Sequence, residues 1–316
     1  MKVPHEQMYL ASIAIRQGKL VAFPTETVYG LGANALDANA VAQIFEMKSR
    51  PTFDPLIVHI ASVEDLQPLV EHVPELALKL IERFWPGPLS LVLPKRSNIP
   101  DIVTAGLSSV AIRCPDHEVA RELIQTAGVP IAAPSANVFG AVSPTTAEHV
   151  REQFGERLTN ILDAGPCSIG LESTVVSFVH EAPLLLRPGG VTLEEIEGVI
   201  GPVSIGLNND ARPESPGQLS RHYSPATKLV LASDEIRPPS NMRIGLLVLQ
   251  RPTSTTGFAA VEVLSDQGCL REAAANLFAA MRRLDAMQLD SIVARPVPEV
   301  GLGRAIMDRL RRAAAK

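Results

Sequence analysis

The chain has 316 residues, too many for one ordinary core and enough for two domains of ~100–200 residues each. Its 46% hydrophobic and 20% charged residues exclude wholesale disorder. With 29 basic against 34 acidic side chains, net −5, the molecule as a whole does not grip nucleic acid electrostatically, so any RNA contact must be local. No apolar run approaches the ~20 residues needed to cross a bilayer, and residues 1–9 carry His5, Glu6 and Gln7 where a signal peptide would be apolar. The expectation is a cytoplasmic protein with no membrane partner. Cys114, Cys167 and Cys269 are odd in number and far apart, which predicts buried thiols and neither a disulfide frame nor a zinc site.

In chain order, short apolar runs predict strands at 19–23, 55–60, 89–93, 110–114, 129–133, 160–162, 174–178 and 184–187. Helical spacing falls between them at 38–47, after Asp37 as N-cap, and at 74–84 and 116–126. Residues 1–200 therefore read as one α/β unit. Periodicity disappears over 201–226, which fill with Gly, Pro, Asn and Ser and read as a linker. Strands at 228–232, 244–249, 261–264 and 291–294, with helices at 269–284 and 303–315, make 227–316 a smaller α/β domain. Its last helix is basic, with Arg304, Arg309, Arg311, Arg312 and Lys316 against Asp308. A solvated face with cations near a helix C-terminus is the expected reason, and an RNA-facing patch is the alternative.

The familiar nucleotide motifs fail. There is no G-x-x-x-x-G-K-[ST]. GLGANA at 30–35 fits G-x-G-x-x-[GA], but six residues, Pro24 among them, separate it from the preceding strand, so dinucleotide geometry is not reproduced. No G-x-S-x-G, H-E-x-x-H or paired-carboxylate pattern supports a hydrolase or metalloprotease.

Polar residues placed where strands and helices end carry the chemistry instead. PTETVYGL at 24–31 follows the first strand, where open α/β sheets bind ligands. KSRP at 48–51 places Lys48 and Arg50 two apart, and Pro51 biases Arg50 toward extended backbone. The pair can clamp phosphate oxygens or simply complement the helix dipole. Arg113 sits inside an apolar strand and needs an anionic partner, either a structural Asp or Glu or a ligand carboxylate. PSAN at 134–137 and SPTT at 143–146 offer hydroxyls and amides before a helix, which suit phosphate or ribose; Thr145 with Glu148 as a capping box is the structural alternative. LESTVV around Ser173 and LRPGG around Arg187 repeat the scheme.

Taken in order, PTETVYGLG, KSRP followed by DPLIVHI, FWPGPLSLVL, VAIRCP, APSAN, ESTVV and LLRPGG resemble the YrdC-type threonylcarbamoyl-AMP synthases across residues 10–200. SPGQL at 215–219, HYSP at 222–225 and the extra C-terminal domain resemble the long, two-domain branch. The resemblance implies a twisted mixed YrdC-like sheet with flanking helices over 1–200, a linker or lid over 201–226, and a smaller Rossmann-like α/β domain over 227–316. It implies an L-threonylcarbamoyladenylate synthase that joins L-threonine, bicarbonate and ATP to give threonylcarbamoyl-AMP and pyrophosphate, for tRNA threonylcarbamoyladenosine next to the anticodon. In that chemistry the threonine carbamate attacks the α-phosphorus and pyrophosphate leaves, which needs positioning and charge neutralisation more than a protein nucleophile.

Carried over by position, Lys48 and Arg50 match the catalytic phosphate clamp and Arg187 a further nucleotide contact. Ser109, Ser135, Asn137 and Ser143 match groups holding adenosine and phosphate, while His222 and Tyr223 reach back from the linker to cover ATP. Thr27, His59, Arg113 and Ser173 match the threonine subsite, with Arg113 facing the carboxylate. Asp54 stands where the family often has Asn, and a carboxylate there repels a triphosphate unless a metal intervenes. Magnesium is expected with ATP, held by substrate oxygens and water, since no acidic cage is legible. The partners implied are the three substrates, the downstream threonylcarbamoyl transferase machinery and a weak tRNA contact. Two other readings stay open: a non-catalytic RNA-binding module and carbamoyl transfer to another acceptor.

Overall fold

The structure is a computed structural model that describes residues 3–206, 213–219, 222–232 and 238–315. Part of the expected linker and Lys316 of the basic helix lie outside the described residues. The first unit runs α1 (His5–Arg16), β1 (Val21–Phe23), β2 (Gly30–Asn34), α2 (Ala38–Lys48), β3 (Ile57–His59), α3 (Glu75–Phe84), β4 (Leu89–Pro94), α4 (Asp101–Thr104), β5 (Ser109–Arg113), α5 (Glu118–Ala127), β6 (Ile131–Ala132), α6 (Ala147–Phe154), β7 (Thr174–Ser177), β8 (Leu184–Arg187), α7 (Leu193–Ile200) and β9 (Ser204–Ile205). Its strands form one mixed sheet in the order β1-β2-β6-β3-β5-β4-β7-β8-β9. The second unit adds β10 (Leu229–Leu231), β11 (Ile244–Val248), β12 (Ala260–Val263), α8 (Leu270–Asp285), β13 (Ser291–Ala294) and α9 (Leu302–Ala314), whose four strands pair in parallel as β10-β13-β11-β12. The expected architecture, a large mixed sheet followed by a small parallel α/β unit, is what forms.

Local chemistry accounts for the elements. Asp37 caps α2 by accepting from the Asn39 and Ala40 amides, as its sequence position predicts. In α3, Ala77, Leu80 and Ile81 at helical spacing are buried against the sheet. α8 buries a broader face that includes Ala273, Leu277, Met281 and Leu284. α6 starts one residue later than expected, because Thr146 and not Thr145 accepts from the His149 amide.

Three elements differ from the sequence reading. Residues 30–34 form strand β2 antiparallel to β1, not a ligand loop. Gly32 is required there by close packing, since a Cβ would lie 2.7 Å from both Phe23 and Ile131 side-chain carbons. α1 was not expected, although Met8, Ala11, Ser12 and Ile15 are spaced as one buried face. Residues 160–162 contribute only an isolated bridge between Ile161 and Ala22. Cys114 and Cys167 are buried as expected, whereas Cys269 is exposed at the start of α8.

One apolar cluster joins the two units. Val28, Val142 and Leu171 from the first and Tyr223 from the linker are buried with Leu277, Phe278 and Met281 of α8 and Ile306 and Leu310 of α9. Transfer of this much apolar surface from water holds the small unit against the large one. The basic last helix is not a solvated face: Arg309 and Arg312 are buried, while the exposed Arg311 pairs with Glu299 and Arg304 with Glu194.

Candidate active site

Strand directions decide which side chains meet. β3 and β5 are parallel, and His59 and Arg113 are register partners at their carboxyl ends. β7 runs against β5, so Ser173, just before it, comes to the same edge; β8 runs against β7 and ends there with Arg187. Ser135 follows β6, which is antiparallel to β3, and enters from the opposite edge, where Asp54 and Pro55 precede β3. The cleft therefore lies across the sheet face between two sets of strand ends instead of at a single crevice.

The polar lining includes Thr25, Thr27, Arg50, His59, Arg113, Ser135, Glu172, Ser173 and Arg187 from the first unit, and the linker adds Pro216, Gly217, His222 and Tyr223. Together they line one partly open cleft. In the loop after β1, the Thr25 hydroxyl donates to the Val28 carbonyl at 2.7 Å and accepts from the Thr27 and Val28 amides, which fixes the turn. Thr27 Oγ1 then accepts from Arg113 Nη1 at 2.8 Å.

Four buried cations dominate the electrostatics, and their partners divide them. Arg113 pairs with Glu26 at 2.6 Å, so the partner its strand demanded is a carboxylate of the chain itself. Arg50 pairs with Asp54 at 2.8 Å and donates to the Asp54 and Pro55 carbonyls. Lys48 and Arg187 differ: all their hydrogen bonds among the described residues go to neutral oxygens. Lys48 donates to the carbonyls of Ser135, at 2.6 Å, and Asn137. Arg187 donates to the Ser173 carbonyl and hydroxyl and to the Pro216 carbonyl. Burial and the Arg50 charge push the Lys48 ammonium well below its ordinary pKa, while burial pushes the Asp54 carboxyl up against the pull of Arg50, Lys48 and Arg187. Buried cations that outnumber the carboxylates within reach of them at this edge suit an anionic ligand.

The linker closes the cleft from above. His222 packs edge-on to Phe139, with ring centroids 5.8 Å apart, and 4.1 Å from Tyr223, which stacks on Phe278 at 5.6 Å. Burial beside Arg50, Lys48 and Arg187 pushes His222 well below the usual histidine range, so it is neutral at pH 7. Gly217 allows the linker to pass: its φ is +82°, and a Cβ would stand 2.7 Å from the Tyr223 hydroxyl.

Of the residues expected from sequence, Thr27, Arg50, His59, Arg113, Ser135, Ser173, Arg187, His222 and Tyr223 line the cleft. Lys48, Asp54, Asn137 and Ser143 are buried but do not line it. Lys48 pins the 135–137 turn, Asn137 Nδ2 holds the Val138 and Ala141 carbonyls, and the Ser143 hydroxyl donates to Glu172 at 2.5 Å. Lys48 and Arg50 flank Ser49, left-handed at φ 52°, and both charges act on Asp54 and His222. Ser109 begins β5, four residues from Arg113, and is not in the lining. The hydroxyls of the loop after β1 line the cleft as expected, Thr25 with Thr27, whereas sequence reasoning missed Glu172 as a lining group and Glu26 as the partner of Arg113. Glu26 was legible as the one carboxylate in the Thr-rich loop, but nothing in the sequence brings that loop to β5. Among the described residues no three His, Cys, Asp or Glu side chains converge as a metal cage, and Asp54 is already spent on Arg50.

A mixed α/β sheet with a cationic cleft capped by a linker from a second unit defines a two-domain enzyme built to hold an anionic small molecule. The family model described as telomere recombination, Sua5/YciO/YrdC, matches residues 13–189, and the model for the threonylcarbamoyl-AMP synthase C-terminal domain matches 191–315. The chain belongs to the Sua5/YciO/YrdC family, in its long two-domain form. It is 45% identical to the threonylcarbamoyl-AMP synthase of Pyrococcus abyssi, over 99% of this chain and 95% of that one, and 44% identical to that of Bacillus subtilis, over 98% and 93%. The crystal structure of P. abyssi Sua5 complexed with L-threonine superposes with a TM-score of 0.93 at 44% identity, covering 99% of this chain and 96% of that one.

Proposed function

We propose that this chain is an L-threonylcarbamoyladenylate synthase, using L-threonine, bicarbonate and ATP to make threonylcarbamoyl-AMP and pyrophosphate. The observation that carries the reading is the pair of buried arginines that line the cleft: Arg50, beside Asp54, and Arg187, whose hydrogen bonds among the described residues all go to neutral oxygens. The similarity of the whole chain to threonylcarbamoyl-AMP synthases supplies the product and the L-threonine complex of the P. abyssi protein one substrate; ATP and bicarbonate follow from the product's chemistry.

Threonine binds at the carboxyl ends of β3 and β5. Its carboxylate approaches Arg113, which Thr27 and Glu26 hold in place, with His59 and Ser173 alongside. The threonine amine and bicarbonate condense to a carbamate with loss of water. A carbamate oxygen then attacks the α-phosphorus, and the bond to the bridging oxygen of pyrophosphate breaks. Arg50 and Arg187 neutralise the phosphates, and no protein nucleophile is required. Lys48 acts by pinning the Ser135–Asn137 turn and by its charge behind that wall, while Asn137 and Ser143 support the nucleotide wall from within. His222 and Tyr223 cover the nucleotide and exclude water from an adenylate that water destroys. The described residues do not form a magnesium cage; the ion would enter on ATP's own oxygens, and no step depends on a protein ligand to it. Asp54 is the resting counter-ion of Arg50, and ATP phosphate displaces it. Ser109, at the start of β5 on the edge where Asp54 and Pro55 precede β3, keeps its expected place on the nucleotide side.

The RNA-binding alternative loses its main support, because the arginines of α9 are buried or paired with acids. The test is a mass-spectrometric search for threonylcarbamoyl-AMP with each substrate omitted in turn. Product only when all three are present supports the reading; product without threonine or without bicarbonate rejects it.

A further inference from the structure

α9 belongs to the second unit, yet one of its side chains ends among the residues that build the cleft. Arg309 is completely buried. Its Nε donates to Glu172 at 3.0 Å, and its Nη1 donates to the Pro188 carbonyl at 2.6 Å and to Asp308 at 2.9 Å. Its guanidinium carbon lies 5.2 Å from the centre of the Tyr223 ring. Glu172 and Tyr223 both line the cleft, and Pro188 follows Arg187 directly. Arg309 itself does not line it. The other oxygen of Glu172 accepts from Ser143, so a chain of charged and polar contacts runs from α9 through Glu172 to the turn after β6.

The same helix holds the linker on both sides of Tyr223. Arg312 donates to the Leu219 carbonyl, the Arg312 carbonyl accepts from the His222 amide, and the Ser224 hydroxyl donates to the Ala313 carbonyl at 3.4 Å. Packing alone needs only apolar side chains at this seam, and desolvating an arginine is costly. A buried fork that satisfies a carboxylate, a carbonyl and an aromatic face at once instead fixes three separate segments in one geometry.

We infer that the second unit acts on the reaction through Arg309, a positioning residue that seats Glu172, the backbone after Arg187 and the Tyr223 ring, so that the linker is held over the nucleotide. This rests on the proposed synthase reading. It gives the small domain a task in nucleotide binding with no contact to substrate.

The test compares Arg309→Met and Arg309→Lys with Arg311→Met, a control on the exposed face of the same helix. Pyrophosphate release is measured at varied ATP and varied threonine, with hydrogen exchange of peptides covering 213–224 and a melting curve for each variant. Arg309→Met should raise the KM for ATP at least fivefold, leave that for threonine within twofold, and speed linker exchange. Arg309→Lys should recover part of the loss, and Arg311→Met should match the parent. A mere loss of folded fraction lowers kcat and leaves both KM values and the linker protection alone; that pattern, or parental kinetics, overturns the inference. If Arg309→Met does not fold, Arg309→Lys decides: an ATP-specific shift with faster linker exchange supports the role, and parental values reject it. Should the parent chain make no threonylcarbamoyl-AMP, the synthase reading fails, while linker exchange still decides whether Arg309 holds the linker.

Discussion

Replacing Arg50 removes a phosphate-binding cation and also strands a carboxylate. Arg50 and Asp54 are both buried and 2.8 Å apart, and Arg50 also satisfies the Asp54 and Pro55 carbonyls. Removing one partner of such a pair typically costs about 3–5 kcal/mol. For a unit of this size, each kcal/mol moves the melting temperature by roughly 2–4 °C, so Arg50→Met should melt roughly 6–20 °C lower. Lys48 and Arg187, which also draw Asp54 toward its charged form, favour the lower end. The double variant Arg50→Met with Asp54→Asn removes the stranded charge and should recover most of that stability. Pyrophosphate release should fall more than tenfold in both variants, because the clamp is missing in each. Thermal melts and the release assay on the same preparations separate the two effects. Parental turnover in the double variant refutes the clamp, and an unchanged melting temperature in the single variant refutes the buried-pair reasoning.

Asp54→Asn alone should lower the KM for ATP severalfold, since phosphate no longer competes with a carboxylate for Arg50; an unchanged or higher KM, read from initial rates, contradicts the displacement model. Lys48→Met should reduce turnover more than tenfold with the fold retained, and circular dichroism beside the rate assay checks both halves. Gly217→Ala forces a Cβ toward the Tyr223 hydroxyl at a positive φ, so ATP binding measured by calorimetry should weaken with little change in melting temperature. His59, pushed down to about 3 by burial and by Arg113, stays neutral in the fold, whereas in the unfolded chain it takes a proton near pH 6.5. Stability from this group is therefore complete above about pH 6.5 and is lost as pH falls toward 3, at about 1.4 kcal/mol per pH unit. The gap between urea midpoints at pH 7.5 and 5 should narrow in His59→Gln, His222 and His149 keeping the remainder; the same pH difference in variant and parent would count against this.

The sequence was readable where one face of a strand or helix is apolar and failed where packing overrides local pattern. β5 and β8 are plain apolar runs, and α2 announces itself by Asp37 and its spacing. β2 is hidden because two of its five residues are glycine, chosen to let Phe23 and Ile131 approach, and isolated glycines read as loop. Ser173 and Arg187 could be nominated from their motifs, yet only the reversed direction of β7 brings Ser173 beside the end of β5. Lys48 and Arg50 could be nominated together from KSRP, but the motif does not tell that Lys48 reaches the carbonyls of the Ser135–Asn137 turn while Arg50 lines the cleft against Asp54. Arg309 was hardest to see. In sequence it is one of several arginines on a basic helix, and only docking of the two units shows that it is buried against Glu172 while Arg311 faces water.

The central claim is that one cleft holds the phosphates of ATP against Arg50 and Arg187 while the threonine carboxylate sits at Arg113. A crystal structure of this chain with L-threonine and a non-hydrolysable ATP analogue tests it most directly. The account predicts phosphate oxygens within hydrogen-bond distance of both arginines, Asp54 turned away from Arg50, and Tyr223 over the nucleotide. Phosphates bound elsewhere, with the Arg50–Asp54 pair intact, would contradict it.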